Sequence, residues 1–169
     1  LALAMNAAAS IDPARIRRMS DRKEELYRAI ICRQGVQPLP GVEVLMARLQ
    51  AASIPCAVGS STPRLNITCV LESLTFGNAF SAMVTSEDVS HGKPDPEVFL
   101  LAAQRLRVPA AQCVVFEDTP VGLEAARAAG MKAVAVCTTH AREHLRAADR
   151  VVERLDELRL EELSAWFLR

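Results

Sequence analysis

Aromatic side chains are scarce in this chain: 4% of its 169 residues, with one Trp and one Tyr. Base-stacking platforms for single-stranded nucleic acid need more rings than that. Net charge is absent as well, because 20 Lys+Arg balance 20 Asp+Glu. A general nucleic-acid binder needs an excess of positive charge to displace counterions, and a basic membrane-surface protein needs it to meet anionic lipid. No apolar run is long enough to span a bilayer. Cysteine is present five times, at Cys32, Cys56, Cys69, Cys113 and Cys137, but no CxxC or Cys/His zinc spacing occurs. Neither a disulfide framework nor a zinc site is expected from that pattern. Cys56, Cys113 and Cys137 lie in or beside apolar runs and read as small buried hydrophobes in a reducing compartment. The opening LALAMNAAAS is too short for a signal peptide and lacks its basic flank. A chain that opens on Leu1 reads as a processed or partial product.

What is present suffices for one ordinary domain. Half the residues are apolar and 24% are charged, a balance that supports a core and a water-facing surface. Asp12-Pro13 is a helix-start signal, and Ile16, Met19, Leu26 and Ile30 then recur at helical spacing. The pattern predicts a helix over 13–32, ending near Gly35. Proline and glycine dominate Gln37–Gly41, which marks a boundary. A second helix is expected over about 42–52. Five short apolar runs follow: Ile54–Val58, Ala82–Thr85, Cys113–Phe116, Ala133–Cys137 and Arg150–Val152. Helical stretches separate most of them, at about 63–74, 96–105, 120–129 and 141–147, and a last helix is expected over 156–168. Unbroken apolar strands alternating with helices imply a parallel sheet covered on both faces. The expected class is α/β, doubly wound.

In open parallel sheets ligands bind at the carboxyl ends of strands. Gly59-Ser60-Ser61-Thr62-Pro63-Arg64 follows the first apolar run. Thr62 suits a helix cap and Pro63 a first helical turn, which sets hydroxyls and free N–H groups where anions are favoured. The plain alternative is that these residues only cap. The second run leads to His91-Gly92-Lys93-Pro94-Asp95-Pro96. Two prolines fix the path, Asp95 is placed to cap the next helix, and Lys93 can aim a point charge at a phosphate or a carboxylate. A single lysine is by default solvated, and His91 reads as a loop histidine without a catalytic task. Glu117-Asp118-Thr119-Pro120 follows the third run. Two adjacent carboxylates at a strand end repel each other, and a hard cation such as Mg2+ relieves that. The competing reading gives Glu117 a salt bridge and Asp118 a cap, although Thr119 can already serve as the cap. An anion site, a rigidly placed lysine and a carboxylate pair at one sheet edge together describe a phosphate-plus-magnesium site.

These residues carry a resemblance. The order Ser60, Lys93, Glu117-Asp118 resembles motifs two, three and four of the haloacid-dehalogenase-like hydrolases. VTSEDVSHGKPDPEVF (84–99) and VVFEDTPVGLEAARAAGM (114–131) look like the beta-phosphoglucomutase-like branch. MSDRKEELYRAI (19–30) is similar to the last helix of that branch's helical cap domain, and AADRVVERLDEL (147–158) resembles the final strand and helix of its core. The flavour is that of plant and algal plastid phosphatases. The resemblance implies a cap remnant over 1–36 and a Rossmann-like core over 37–169. It implies that Ser60, Ser61, Thr62 and Lys93 hold phosphate, with Ser60 and Lys93 as the catalytic pair. It also implies that Glu117 and Asp118 serve Mg2+, Asp118 binding the ion and Glu117 helping to position it. Arg64 would reach a substrate or stay on the surface.

One departure is large. The family's first motif is an Asp-x-Asp at the end of a central strand, supplying the nucleophile and the general acid–base. No Asp-x-Asp occurs in this chain, and Asp95-Pro96-Glu97 belongs to a helix start. Without that strand, the runs 54–58 and 113–116 should present unpaired inner edges, and the 169 residues should fold poorly or recruit a strand from elsewhere. Two readings follow. In one, the chain is the C-terminal piece of a Mg2+-dependent phosphatase for a small phosphorylated metabolite, inactive alone; a mutase parent is the lesser variant. In the other it is a catalytically dead module serving as a structural or interaction subunit. The partners expected are the metabolite and a protein or N-terminal segment completing the sheet, with no nucleic acid and no membrane span. The compartment expected is plastid stroma or cytoplasm.

Overall fold

The computed structural model describes residues 12–168; the opening LALAMNAAAS lies outside them. Among the described residues, six α-helices and five strands follow one another: α1 Pro13–Gln34, α2 Val42–Ala51, β1 Cys56–Gly59, α3 Arg64–Glu72, β2 Phe80–Val84, α4 Glu97–Leu106, β3 Val114–Glu117, α5 Pro120–Ala128, β4 Lys132–Val136, β5 Arg150–Val152 and α6 Leu160–Ser164. All strand pairing is parallel. β1 pairs with β2, and β3-β4-β5 form a second, three-stranded sheet. The expected α/β class with helices on both faces is what the chain adopts.

The core has two layers, one on each side of β4. Ala133 and Ala135 face a cluster with Val98, Phe99, Leu123 and Ala126 from α4 and α5. Val134 and Val136 face the other way, toward Leu45, Met46 and Leu49 of α2 and Leu155, Leu158 and Leu163 near the C-terminus. The alternation follows from the period of two along a strand. Because β4 is flanked on both sides, its residues 133–136 are all buried. β1 and β3 each have a partner on one side only, and no residue of β1 is fully buried. The unpaired inner edges expected at the first and third apolar runs are therefore present among the described residues.

Several element boundaries differ from the sequence expectation, each for a local reason. Ile54 was expected to open β1, but its N–H donates to Leu49 O at 2.9 Å and closes the end of α2. The side chain stays exposed, and the strand starts at Cys56. The helix expected over 141–147 is a single turn, Arg142–His144. Leu145 is fully buried just after it, and the chain must already turn into β5, since Asp149 N–H donates to Ala133 O at 2.9 Å. The last helix is broken at Leu158, which is buried in an extended conformation while its carbonyl accepts a 2.9 Å hydrogen bond from Arg48 Nη1. α6 is consequently short.

α1 begins as the sequence indicates, with Asp12 Oδ1 accepting from Ala14 N–H at 3.0 Å and Pro13 in the first turn. Its apolar stripe is present, yet Ile16, Met19, Leu26, Tyr27 and Ile30 are all exposed. The helix meets the rest of the described chain along α3.

Candidate functional site

Lys93 is the centre of the site. The solvated lysine that a single Lys suggests is not what the fold makes of it: its side chain is 13% exposed. The ammonium donates to Gly59 O at the end of β1 (3.5 Å) and forms a close ion pair with Glu117 Oε1 at the end of β3. It also lies 4.7 Å from the centroid of the Phe99 ring. One side chain thus bridges the carboxyl ends of two strands that do not pair with each other. Its place is fixed by Lys93-Pro94-Asp95-Pro96: the Lys93-Pro94 peptide is cis, and Asp95 Oδ1 accepts from Glu97 N–H at 2.9 Å where α4 starts.

Glu117 is 8% exposed and fully engaged. Besides Lys93, it accepts from Asp118 N–H (3.1 Å) and from the Thr119 hydroxyl (3.1 Å). Its carboxyl lies against Gly122, where a Cβ would overlap it. Thr119 caps α5, as expected, accepting from Gly122 N–H at 3.1 Å. Asp118 is therefore not needed as a cap. Its Oδ2 accepts from the Thr139 hydroxyl at 2.8 Å and the Thr138 hydroxyl at 3.3 Å, and Oδ1 has no hydrogen-bond donor among the described residues. The Asp118 carbonyl is held by Thr139 Oγ1 (2.9 Å) and faces His140 Nδ1 (3.1 Å). Residues 138–140 were not singled out from the sequence, although the rule that carboxyl ends of strands carry the ligand site points to them as the exit of β4.

Ser60 directly follows Gly59, whose carbonyl accepts from the Lys93 ammonium. Its N–H donates to Val84 O at 2.9 Å, while its Oγ accepts from Thr62 N–H at 3.1 Å and keeps its O–H proton for another acceptor. Ser61 is exposed, and its N–H has no acceptor among the described residues. Thr62 does not cap α3, contrary to expectation. Pro63 precedes the helix, and the carboxylate of Glu87 reaches across from the loop after β2 to accept from Arg64 N–H at 3.1 Å. The Arg64 side chain is tied to the loop after β2. It pairs with Asp88 at 2.5 Å and approaches Glu87 at 3.9 Å.

Asp88 is the second anchor that sequence reasoning missed. It accepts from Arg105 Nη2 (2.8 Å), from the Thr85 hydroxyl and N–H (both 2.8 Å) and from Arg64. Arg105, then the Thr85 hydroxyl and N–H, hold its carboxyl well below the usual carboxylate range. The fully buried Thr85 finds its partner there. No periodicity signals such a residue, because it serves loop geometry and not a face. His91 is exposed, with Nδ1 3.3 Å from Glu97. Among the described residues, His91, Asp95 and Glu97 form the group whose ligand atoms come within 4.8 Å of one another. Glu97 is already accepting from Ser90 and His91 N–H groups, and Asp95 from Glu97 N–H.

A parallel α/β fold with a buried lysine–carboxylate pair joining the carboxyl ends of its strands belongs to the Rossmann-like class, whose ligands meet that edge. Comparison with known proteins narrows this. The family model described as haloacid dehalogenase-like hydrolase matches residues 5–130, and the chain belongs to that family. It is 41% identical over 156 residues to the chloroplastic 5-amino-6-(5-phospho-D-ribitylamino)uracil phosphatase of Arabidopsis thaliana, covering 92% of this chain and 41% of that protein. It is 41% identical over 128 residues to the fructose-1-phosphate phosphatase YqaB of Escherichia coli, covering 76% of this chain and 65% of that one. Among solved structures, CbbY from Rhodobacter sphaeroides in complex with phosphate matches with a TM-score of 0.79 and 27% identity, over 86% of this chain and 67% of that one. Beta-phosphoglucomutase from Clostridium difficile matches with a TM-score of 0.81 and 26% identity, over 94% and 70%. The chain spans from about a third to just under two thirds of the length of the first curated relatives it matches.

Proposed function

We propose that this chain is the cap helix and core of a Mg2+-dependent phosphatase for a small phosphorylated metabolite. The observation that carries the proposal is the buried Lys93–Glu117 pair, set between two strand ends beside Ser60 and Asp118. A lysine is costly to bury unless its charge is used or paired, and this one is held by a carboxylate that is itself fixed to the start of α5. On this reading the ammonium stabilises the negative charge of a phosphoryl group. The Ser60 hydroxyl and the Ser61 N–H donate to its oxygens. Ser61 and Thr62 line the turn that leads into α3. Residues 1–36 contribute to the cap and 37–169 form the core; Gly35, with φ 69°, lies at the junction.

The donor set at the end of β3 fits a magnesium ion through Asp118. Mg2+ binds one or two carboxylates together with water and phosphate oxygens, and Asp118 Oδ1 is open while hydroxyls hold Oδ2. Glu117, occupied by Lys93, acts on the ion by holding the Asp118 backbone. When bound, the ion supplies charge neutralisation to the phosphoryl oxygens. The phosphoryl-aspartate chemistry implied by the resemblance needs a carboxylate pair in an Asp-x-Asp strand, which these 169 residues do not include. A strand seated between β1 and β3 would supply it, and the chain alone is then inactive. The plastid relative supports a phosphorylated pyrimidine as one substrate to try and plastid stroma as one compartment.

The test is phosphate release from p-nitrophenyl phosphate, with and without Mg2+, by this chain and by the whole gene product. The expected result is Mg2+-dependent release by the whole product only, abolished by Asp118→Asn. Fructose 1-phosphate and 5-amino-6-(5-phospho-D-ribitylamino)uracil then rank substrates. Folded protein without activity in either form overturns the phosphatase reading and leaves a structural subunit.

A further inference from the structure

α1 and α3 meet through successive rungs. Arg28 Nη1 donates to Asn66 Oδ1 at 2.8 Å, and Asn66 Nδ2 donates to Glu24. Asn66 is 3% exposed, and Arg28 and Glu24 are half-buried against it. One turn further along, Cys32 Sγ lies 3.3 Å from Cys69 Sγ. Arg28 and Cys32 are four apart and Asn66 and Cys69 three apart, so each pair shares a helix face. The polar rung therefore sets the register that brings the two sulfurs together. Cys32 is exposed and Cys69 partly so, which gives an oxidant access.

From this juxtaposition we infer a reversible dithiol–disulfide site that fastens α1 to α3. The oxidant is a disulfide, either a small one such as glutathione disulfide or one carried by a protein. The exposed Cys32 thiolate attacks one sulfur of that disulfide, forming a mixed disulfide and expelling one thiolate. Cys69 then loses its proton, attacks Cys32 Sγ, and expels the second thiolate. Two protein thiols are oxidised, one disulfide is reduced to two thiols, and both protons end on the released thiols. Cys32, the more exposed of the two, is the first attacker, while the hydrogen bond between the two sulfurs, then burial, pushes the Cys69 thiol up. Burial pushes Cys56 and Cys113 up as well, so those thiols are poor competitors.

The bond would tie the last helix of the cap to the helix that starts at the Ser60–Pro63 turn, bypassing the junction at Gly35–Gly41. α1 has no buried residue of its own, so its opening is local and easily restrained. This consequence for cap motion rests on the proposed phosphatase reading; the bond itself does not.

The experiment incubates the whole protein in buffers of stepped glutathione disulfide to glutathione ratio, blocks free thiols and maps tryptic peptides. Ala29–Arg33 should appear joined to the peptide that begins at Leu65, with two of the five thiols lost and both restored by dithiothreitol. Cys32→Ser should abolish the joined peptide and Cys56→Ser should not. Hydrogen exchange along α1 should slow about tenfold on oxidation in the wild type and stay unchanged in Cys32→Ser. Absence of the Cys32–Cys69 peptide from protein that keeps its circular dichroism spectrum overturns the proposal, as does indiscriminate pairing with Cys56, Cys113 or Cys137. A mapped bond without any change in α1 exchange overturns the restraint. A mapped bond in a protein without phosphatase activity removes the phosphatase reading and keeps the redox link.

Discussion

Replacing Gly122 by alanine should destabilise this protein, against the usual direction. Alanine inside a helix is favoured over glycine by about 1 kcal/mol, and Gly122 is the third residue of α5. Its φ is not in the left-handed region, so backbone strain gives no reason to require glycine. The obstacle is Glu117, whose carboxyl lies where the new Cβ must go. That carboxyl cannot retreat freely, since Lys93, Asp118 N–H and Thr119 Oγ1 hold it. Breaking a buried ion pair costs roughly 3–5 kcal/mol. After the propensity gain, and with some relaxation of the Lys93 side chain, the net loss should be about 2–4 kcal/mol. For a chain of this size that lowers Tm by roughly 4–16 °C. Thermal unfolding followed by circular dichroism reads this directly. The double variant Gly122→Ala, Glu117→Ala should cost less than the sum of the two single changes, because the obstacle is gone. A neutral or stabilising Gly122→Ala would refute the placement of Glu117 over the start of α5, and with it the account of how Lys93 is held.

Three further outcomes test other parts of the structure. Asp88→Asn should lower the denaturation midpoint at pH 7; because the folded Asp88 carboxyl is held low, its contribution is fully present above about pH 4 and is lost as pH falls through the folded value, so the gap between the two proteins should close in acid. An equal gap at pH 7 and in acid would show that its charge is not what matters. Val134→Ala, at a fully buried position of β4, should cost about 1–3 kcal/mol in urea unfolding, while Val121→Ala on the exposed side of α5 should stay within about 0.5 kcal/mol. Lys93→Met should reduce p-nitrophenyl phosphate turnover by the whole gene product at least about a hundredfold while Mg2+-free binding of other ligands is unaffected; retention of activity would remove Lys93 from the site.

Much of the fold was legible because its signals are local. Asp12-Pro13, Thr119-Pro120 and the apolar run of β4 each announce an element through a cap or through continuous burial. The misread segments are those where a tertiary contact decides. Leu158 looks like one more apolar residue of a terminal helix, yet its carbonyl is committed to Arg48, more than a hundred residues away in the chain. Thr62 has a cap residue's chemistry, but Glu87 occupies the position from another loop. Cys32 and Cys69 carry no spacing signal at all, because the face that unites them is set by Asn66 and Arg28 across two helices.

The site itself was legible by composition and not by geometry. Lysine, serine and a carboxylate pair suggest a phosphate-plus-magnesium chemistry, and the strand-end rule puts them on one edge, where the fold brings Lys93 and Glu117 together. What the residue types could not show is the division of labour between Glu117 and Asp118. Adjacent strand residues point to opposite sides, so two neighbouring carboxylates at a strand end cannot both face one ligand without a turn in the chain. Here the chain does turn, into α5, and Gly122 leaves room for Glu117 to fold back toward Lys93 while Asp118 is drawn to Thr138 and Thr139. One acid thereby neutralises the lysine and the other keeps an oxygen open. The Glu-Asp pair is two single-purpose groups, and exchanging them, Glu117→Asp with Asp118→Glu, should abolish Mg2+-dependent turnover by the whole gene product although charge and composition are unchanged. Retained activity in that swapped protein would mean that either acid can take either role, and that the turn at Gly122 does not assign them.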